Sequence, residues 1–441
     1  MTTASNIPKL DPDAYPEQPT GLSLEQVHVY VRHGERTPVG TRMNNPPANI
    51  PEHWPLCRGG RKFSAGILQA TENKQALYSP GTIDIERVVE FRNGSSTSGI
   101  CMLGELTDVG RGSTHDFGKA LRKIYIERLG FLPDSTQDTS PVYYRSTNVP
   151  RTIESLQQII NGLYPNGKNL HRPQLLVRNA KDENIIPNHF SCKRLERLAV
   201  SFAQAAAEKL NPTLKPLDKR LSKYLDGEPV RVDGKPRASG ILDTIRAAKA
   251  HNIRVPREFN DQSTMDLIEF AVVTEWFGGY KNPEYRRLAM GPLLDDLQRK
   301  MQQKVEQQDQ DPLKLLVYST HDTAVAGITN AFDVFDHRWP DFTASVTFEL
   351  FKQSPQLVKQ AKLLDFLPST HNEPQAPSPT HFVRMRYQNK SLPLPACAKP
   401  GDHLPGHPEF CTLQAFQRHI KELTPEDWDT ECIPPPPVTP L

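Results

Sequence analysis

The chain has 441 residues, 24% of them charged, and its 53 Lys+Arg against 51 Asp+Glu leave a formal net charge of +2. That balance provides no basic stripe for nucleic acid and no acidic tail, so the expected partner is a small molecule. No apolar run approaches the roughly 18 residues of a membrane span, and the length allows two or three structural units or one domain with a large insertion.

The N-terminus, MTTASNIPKLDPDAYPEQPTGLSLEQ, has no apolar core to make a signal peptide and is acidic and Pro-rich. Read literally, this predicts a cytoplasmic chain whose residues 1–22 form an extended lead-in over the surface. The stretch Val27–Pro38, VHVYVRHGERTP, then runs from a β-branched strand straight into Arg32, His33, Gly34 and Arg36. Two guanidiniums flanking one imidazole disfavour protonation of the ring, so the cluster makes sense chiefly as a seat for an anion. Gly34 would let the backbone approach that anion or take a positive φ. Residues 39–62 are rich in Pro, Asn and Gly and predict a long loop beside the site.

Leu106–Leu121 predicts a turn and a helix continuing through IYIERLGF. Val142–Tyr144 predicts a strand, and Ile153, Leu156, Ile159, Ile160 and Leu163 recur at helical spacing after the cap-type residues Ser146, Thr147 and Asn148. Arg145 thus falls at a strand end, just before a helix N-terminus whose free N–H groups favour anions. Alone, it would read more readily as a salt-bridging arginine.

Residues 181–310 change character, with apolar positions every three or four residues, as in Leu195, Leu198, Phe202, Ala206 and in Leu294, Leu297, Met301, Val305. Within this helical block Leu217–Arg237 is polar and predicts a loop-rich stretch. Strand character returns at Lys314–Ser319, Ala344–Phe351 and His381–Gln388, and four prolines at 434–437 end any regular structure. Ser319-Thr320-His321-Asp322-Thr323 again delivers residues from a strand to a helix start, where Asp322 by itself could serve as an N-cap.

Six cysteines, Cys57, Cys101, Cys192, Cys397, Cys411 and Cys432, are even in number but too widely spaced for a CxxC-type metal site. Asn93-Gly94-Ser95 and Asn389-Lys390-Ser391 match the glycosylation pattern, which chance also produces in a chain of this length.

The run Arg32-His33-Gly34-x-Arg36-x-Pro38 resembles the signature of the histidine acid phosphatases, a branch of the phosphoglycerate-mutase-like superfamily. Leu106–Leu121, Ala331–Pro340 and Phe348–Leu350 are similar to segments of that family. The resemblance implies an α/β fold with a mostly parallel doubly wound sheet, helices on both faces and an inserted α-helical cap. The core would comprise 23–180 and 311–441, and the cap 181–310, set over the C-terminal strand ends. It also implies that Arg32, Arg36, Arg145 and His321 bind phosphate, that His33 is the nucleophile and that Asp322 is the general acid, all converging on one pocket. Cys397 and Cys411 resemble a cysteine-closed loop of the family; such a bridge, closing about 15 residues, would contribute roughly 3 kcal/mol, while a reducing cytosol would leave two thiols.

The implied activity is hydrolysis of phosphate monoesters at acidic pH through a phosphohistidine, with no metal or cofactor, since the arginines supply the positive charge. The His-Asp pair, rather than the His-Ala-Glu of the multiple inositol polyphosphate phosphatases, points to the acid phosphatase side. The alternatives are a phosphatase specific for lysophosphatidate or an inositol phosphate, and an inactive binding relative. Retention of His33, Arg145 and Asp322 argues against the last. Nothing in the sequence sets the oligomeric state.

Overall fold

The run that ends in Arg32 forms strand β1 (Leu22–Arg32), whose alternate side chains enter opposite layers. Val27, Val29 and Val31 join one buried cluster with Leu121, Leu156 and Ile159, whereas Tyr30 joins another with Leu293, Leu297 and Ile328. A period of two in a strand covered on both faces produces this division. The computed structural model describes residues 9–59, 62–70, 78–354 and 380–435; residues 1–8 of the lead-in, and 436 and 437 of the proline run, lie outside them.

The further strands are β2 (Lys62–Ala70), β3 (Tyr78–Glu86), β4 (Val89–Glu90), β5 (Ser96–Thr97), β6 (Val142–Ser146), β7 (Leu175–Leu176), β8 (Leu315–Thr320), β9 (Ser345–Gln353), β10 (His381–Tyr387), β11 (Lys390–Leu392), β12 (His403–Leu404) and β13 (His407–Thr412). The main sheet has nine strands in the order β12-β13-β10-β9-β1-β8-β6-β7, with β11 beside β10; β2 pairs with β3 and β4 with β5 in separate hairpins. β1, β8, β6 and β7 are parallel. From β9 outward every pairing is antiparallel. The expected mostly parallel sheet therefore describes the half that carries Arg32, and the whole is mixed. The physical reason lies in the connections: two residues join β10 to β11 and two join β12 to β13, and so short a turn can link only antiparallel neighbours.

The longer helices are α1 (Asp108–Arg122), α2 (Pro150–Leu163), α3 (Lys193–Leu221), α4 (Ala238–Ala250), α5 (Gln262–Phe277), α6 (Pro283–Gln307), α7 (Asp322–Ala331) and α8 (Leu413–Leu423). α1 and α2 cover one face of the sheet, while α6, α7 and α8 cover the other. Their starts follow local chemistry: Thr107 caps α1 by accepting from the Gly110 N–H, and Asn282 caps α6 just before Pro283 at its first position. α6 is thus a sheet-covering helix, although it lies within the block expected to be cap. The polar stretch expected from residue 217 begins later, because α3 continues through Pro212 and Pro216 to Leu221. The C-terminal half of α3, with α4 and α5, encloses a separate core with Met43, Ile50 and Trp54 from the loop after β1.

The lead-in is pinned from inside the molecule. The Tyr15 hydroxyl donates to Glu349 Oε1 at 3.0 Å and Tyr125 donates to the same oxygen at 2.8 Å, while Arg384 and Arg386 pair with the carboxylate. A buried charge is tolerated when it is paired and fully hydrogen-bonded.

All six cysteines are joined, as Cys57–Cys101, Cys192–Cys432 and Cys397–Cys411. The last is the pair that the family likeness implied. Cys192–Cys432 ties the start of α3 to the chain after α8 across 240 residues of sequence. Thiol counting on denatured, unreduced protein should therefore find no free thiol, and a titre of two or more would show that a bridge is not made.

Candidate active site

The parallel strands present their C-terminal ends together, which is where open α/β sheets bind ligands. Backbone bonds hold these ends in register: the His33 N–H donates to the Thr320 carbonyl at 3.0 Å, and the Thr147 N–H to the Ser319 carbonyl at 3.2 Å. Arg32 and His33 leave β1 here, and His321 and Asp322 leave β8 to begin α7. Gly34 is required by packing, since a Cβ there would stand 2.4 Å from the Gly110 carbonyl oxygen of α1. Positive φ plays no part, because Gly34 is not among the residues that adopt it.

His33 is 1% exposed. Its Nδ1 lies 2.8 Å from the Gly34 carbonyl oxygen, and a carbonyl can only accept, so Nδ1 carries the proton and Nε2 keeps its lone pair. Burial, followed by the charges of Arg32, Arg36 and Arg151, holds the ring far below the usual histidine range. The His321 ring stands edge-on to it with centroids 5.6 Å apart, its Nε2 lying 3.0 Å from Thr147 Oγ1. Burial and then Arg151 bring His321 down to about 3.

Arg32 pairs with Asp322 Oδ2 at 2.7 Å and donates to the Pro340 carbonyl at 2.5 Å. Arg36 pairs with Asp243 of α4 at 2.8 Å, and the same carboxylate accepts from the Val39 N–H at 3.0 Å. Phe342 lies beneath both arginines, its ring centroid 4.2 Å from the Arg32 Cζ and 5.8 Å from the Arg36 Cζ. Among the described residues, the Nε atoms of Arg32, Arg36 and Arg151 are buried and have no partner. Asp322 accepts from Trp339 Nε1 at 3.2 Å as well as from Arg32. Burial by itself raises its carboxyl, but Arg32, Arg36 and His321 outweigh that and hold it below the ordinary value.

Five of the six residues singled out in the sequence thus meet here, and Arg145 does not. Its guanidinium pairs with Glu183 at 2.5 Å and Asn184 at 2.7 Å, and its charge acts on Tyr30, Tyr143 and Tyr318. The strand period explains this: Tyr144 faces α1 and α2, so Arg145 must face the opposite layer, one residue short of the strand end. The third arginine is Arg151, in the first turn of α2 directly after Pro150. Its charge acts on His33, His321 and Arg36, and burial followed by Arg36 brings it down to about 10. The signal was present in the sequence, since the helix N-terminus that favours anions is where Arg151 stands.

A cleft of about 1490 Å³ adjoins this cluster through Trp339 and Phe342, which line it together with Lys249, Arg254 and Met265; Arg32, His33, Arg36, Arg151, His321 and Asp322 are not among its lining residues. Among the described residues no group of three or more His, Cys, Asp or Glu is placed to hold a metal ion.

Residues 23–388 match the family model of the histidine phosphatase superfamily (branch 2). The chain is 34% identical to a probable acid phosphatase of Schizosaccharomyces pombe, covering 98% of this chain and 99% of the relative. It is 27% identical to the prostatic acid phosphatase of Rattus norvegicus over 75% of this chain and 80% of that one. Among solved structures, a phytase of Hafnia alvei superposes with a TM-score of 0.57 at 16% identity, covering 95% of this chain and 100% of that chain, a likeness of fold. Both the arginine-ringed histidine and the matched span lead to one assignment: the chain belongs to branch 2 of the histidine phosphatase superfamily.

Proposed function

We propose that this protein is an acid phosphatase that hydrolyses phosphate monoesters through a phosphohistidine at His33, with Asp322 as general acid. The observation that carries the reading is a buried, neutral imidazole with a free Nε2, set among three arginines whose Nε groups have no partner among the described residues. Arg32, Arg36 and Arg151 are suited to grip the phosphoryl oxygens with forked donors, and His321 adds a further contact. Nε2 attacks phosphorus in line as the ester P–O bond breaks, and Asp322 gives its proton to the departing oxygen. Asp322, now a carboxylate, takes a proton from the water that attacks phosphorus, the P–N bond breaks, and inorganic phosphate leaves.

α4, α5, the residues that follow α3 and the loop after β1 wall the adjoining cleft, and we assign substrate choice to them. The cleft mixes Lys223, Lys249 and Arg254 with Glu258, Glu269 and Asp341. Such alternation of sign does not favour a densely anionic inositol phosphate over a simple monoester. The three disulfides favour an oxidising compartment over the cytosol expected from the N-terminal composition.

Several measurements test this reading. His33→Ala should bring turnover to near background with every ester. Asp322→Asn should slow phosphorylation of His33 by an alkyl ester such as glycerol phosphate roughly 10²–10⁴-fold, while a nitrophenyl ester, which leaves as a stabilised anion, keeps its pre-steady-state burst. Equal slowing with both esters would remove Asp322 from the role of acid. Arg151→Ala should lower kcat/KM by about 10²–10³, the size typical of one preorganised charge-stabilising donor. Arg145→Ala should instead lower Tm, leaving Glu183 buried and unpaired, with kcat/KM of the folded protein changed little; the reverse pattern would return Arg145 to the site.

The pH dependence has a definite sign. A ring held far below the usual histidine range stays unprotonated, and so nucleophilic, as pH falls through that range. Activity towards the nitrophenyl ester should therefore persist well below pH ~6.5, and an acid limb centred near that value would contradict the buried neutral imidazole.

A further inference from the structure

The segment between α7 and β9 carries Trp339, whose one polar side-chain atom is aimed at Asp322. From this contact we infer that Trp339 is a positioning residue for the general acid, an inference that rests on Asp322 acting as that acid. The indole N–H donates to Asp322 Oδ2 at 3.2 Å, and the other carboxylate oxygen accepts from the Thr323 N–H at 2.9 Å. Arg32 shares Oδ2 at 2.7 Å, but it is also a phosphate ligand in the proposed mechanism. When substrate draws Arg32 towards phosphate, the indole is the donor that stays on Oδ2. A neutral donor on a rigid ring holds the carboxyl in place without adding a charge that would oppose its protonation.

The rest of Trp339 is fixed from the helical side of the cleft. Its backbone N–H donates to Glu269 Oε1 of α5 at 2.8 Å, and its carbonyl accepts from Arg246 of α4 at 3.2 Å. Its ring meets Phe277 with centroids 5.1 Å apart and Trp276 at 5.5 Å. It packs against both the sheet-side core and the core of α3 to α5. The carbonyl of the next residue, Pro340, accepts from Arg32. The placement of α4 and α5 is thereby transmitted to Asp322 through a single side chain, by fixing where its proton sits relative to the departing oxygen.

The charged and titratable groups facing Asp322 are Arg32 from β1, Arg36 from the following loop, the neutral His321 beside it and Arg151 from α2. Along the Trp339 segment, Asp341 is engaged by Arg246, and Arg338 by Asp266 and Glu269. Removing the indole N–H leaves these groups unchanged and takes one hydrogen bond from the ionised carboxylate, so the carboxyl should titrate higher.

The test compares Trp339→Phe, Trp276→Phe and Asp322→Asn in burst kinetics with glycerol phosphate and nitrophenyl phosphate across pH. Trp339→Phe should slow the glycerol phosphate burst roughly 10–100-fold, the size of one hydrogen bond to a charged group, with KM and the nitrophenyl burst changed less than about twofold. The alkaline limb for glycerol phosphate should move to higher pH. Trp276→Phe, which alters packing on the same ring, should leave the ratio between the esters unchanged. Equal slowing with both esters in Trp339→Phe, or the same ester ratio in Trp276→Phe, would reduce Trp339 to a packing residue. Should Asp322→Asn itself lack ester dependence, the assignment of the acid fails and this inference with it; a normal Asp322→Asn signature beside an unaffected Trp339→Phe ratio defeats this inference alone. The contact is also read without altering Trp339: in 5-fluorotryptophan-labelled protein, which has four tryptophans, one fluorine resonance should shift on Asp322→Asn and on adding vanadate, and its failure to do so overturns the inference.

Discussion

Three guanidiniums gathered around one buried imidazole repel each other and lose hydration, a cost of several kcal/mol per buried ion before compensation. Much of the surrounding structure serves to hold them. Arg32 has Asp322, the Pro340 carbonyl and the face of Phe342; Arg36 has Asp243 and the same ring. Two carboxylates against three guanidiniums leave the site positive, and the buried, unpartnered Nε groups leave donors to spare. A phosphoryl dianion supplies both the missing charge and the missing acceptors, so binding relieves a strain that the folded protein already carries.

The compensating groups come from different helices. Asp322 belongs to the sheet half, at the start of α7, while Asp243 belongs to α4. Arg246, one turn further along α4, holds the segment that carries Trp339. The helices that wall the cleft therefore set the orientation of Arg36 and of the Trp339 segment. Substitutions in α4 made to change substrate preference will couple to the phosphate site through these contacts, so their effects will not add independently.

Much of the site was legible in the sequence because both key runs, Val27–Pro38 and Lys314–Thr323, pass from an apolar strand directly into their polar residues. A strand of that kind can end only at a sheet edge, which fixes where its last side chains emerge. Arg145 misled because proximity to a strand end was weighed ahead of the face that the strand period assigns it. Strand direction beyond β9 was not legible, since alternation is identical in parallel and antiparallel strands. For the same reason the 3.6-residue period of α6 reveals an amphipathic helix but not which core its apolar face meets. Two of the three disulfides were also out of reach: six cysteines allow fifteen pairings, and Cys192 meets Cys432 only because the chain after α8 returns to the start of α3. The roles of Phe342 and Trp339 depend on the segment between α7 and β9 climbing back to the site, as the bond from the Thr343 N–H to the His33 carbonyl shows.

The arginine field acts on His33 and Asp322 in the same direction but with opposite chemical value. It favours the neutral imidazole, as a nucleophile requires, and the ionised carboxylate, which a proton donor must not be. No placement of fixed positive charge between the two can serve both in the free enzyme. The substrate resolves the conflict, because below pH ~6 a phosphate monoester is largely a monoanion that carries one proton on its phosphoryl group. Ionised Asp322 with a monoanion holds the same number of protons as protonated Asp322 with a dianion. In the proposed mechanism, once phosphate charge cancels the field of Arg32, Arg36 and Arg151, the second arrangement gains, and the proton moves to the carboxyl that would pass it to the leaving oxygen. On that mechanism acidity would promote turnover by raising the fraction of monoanionic substrate while the protonation state of the resting enzyme stays the same.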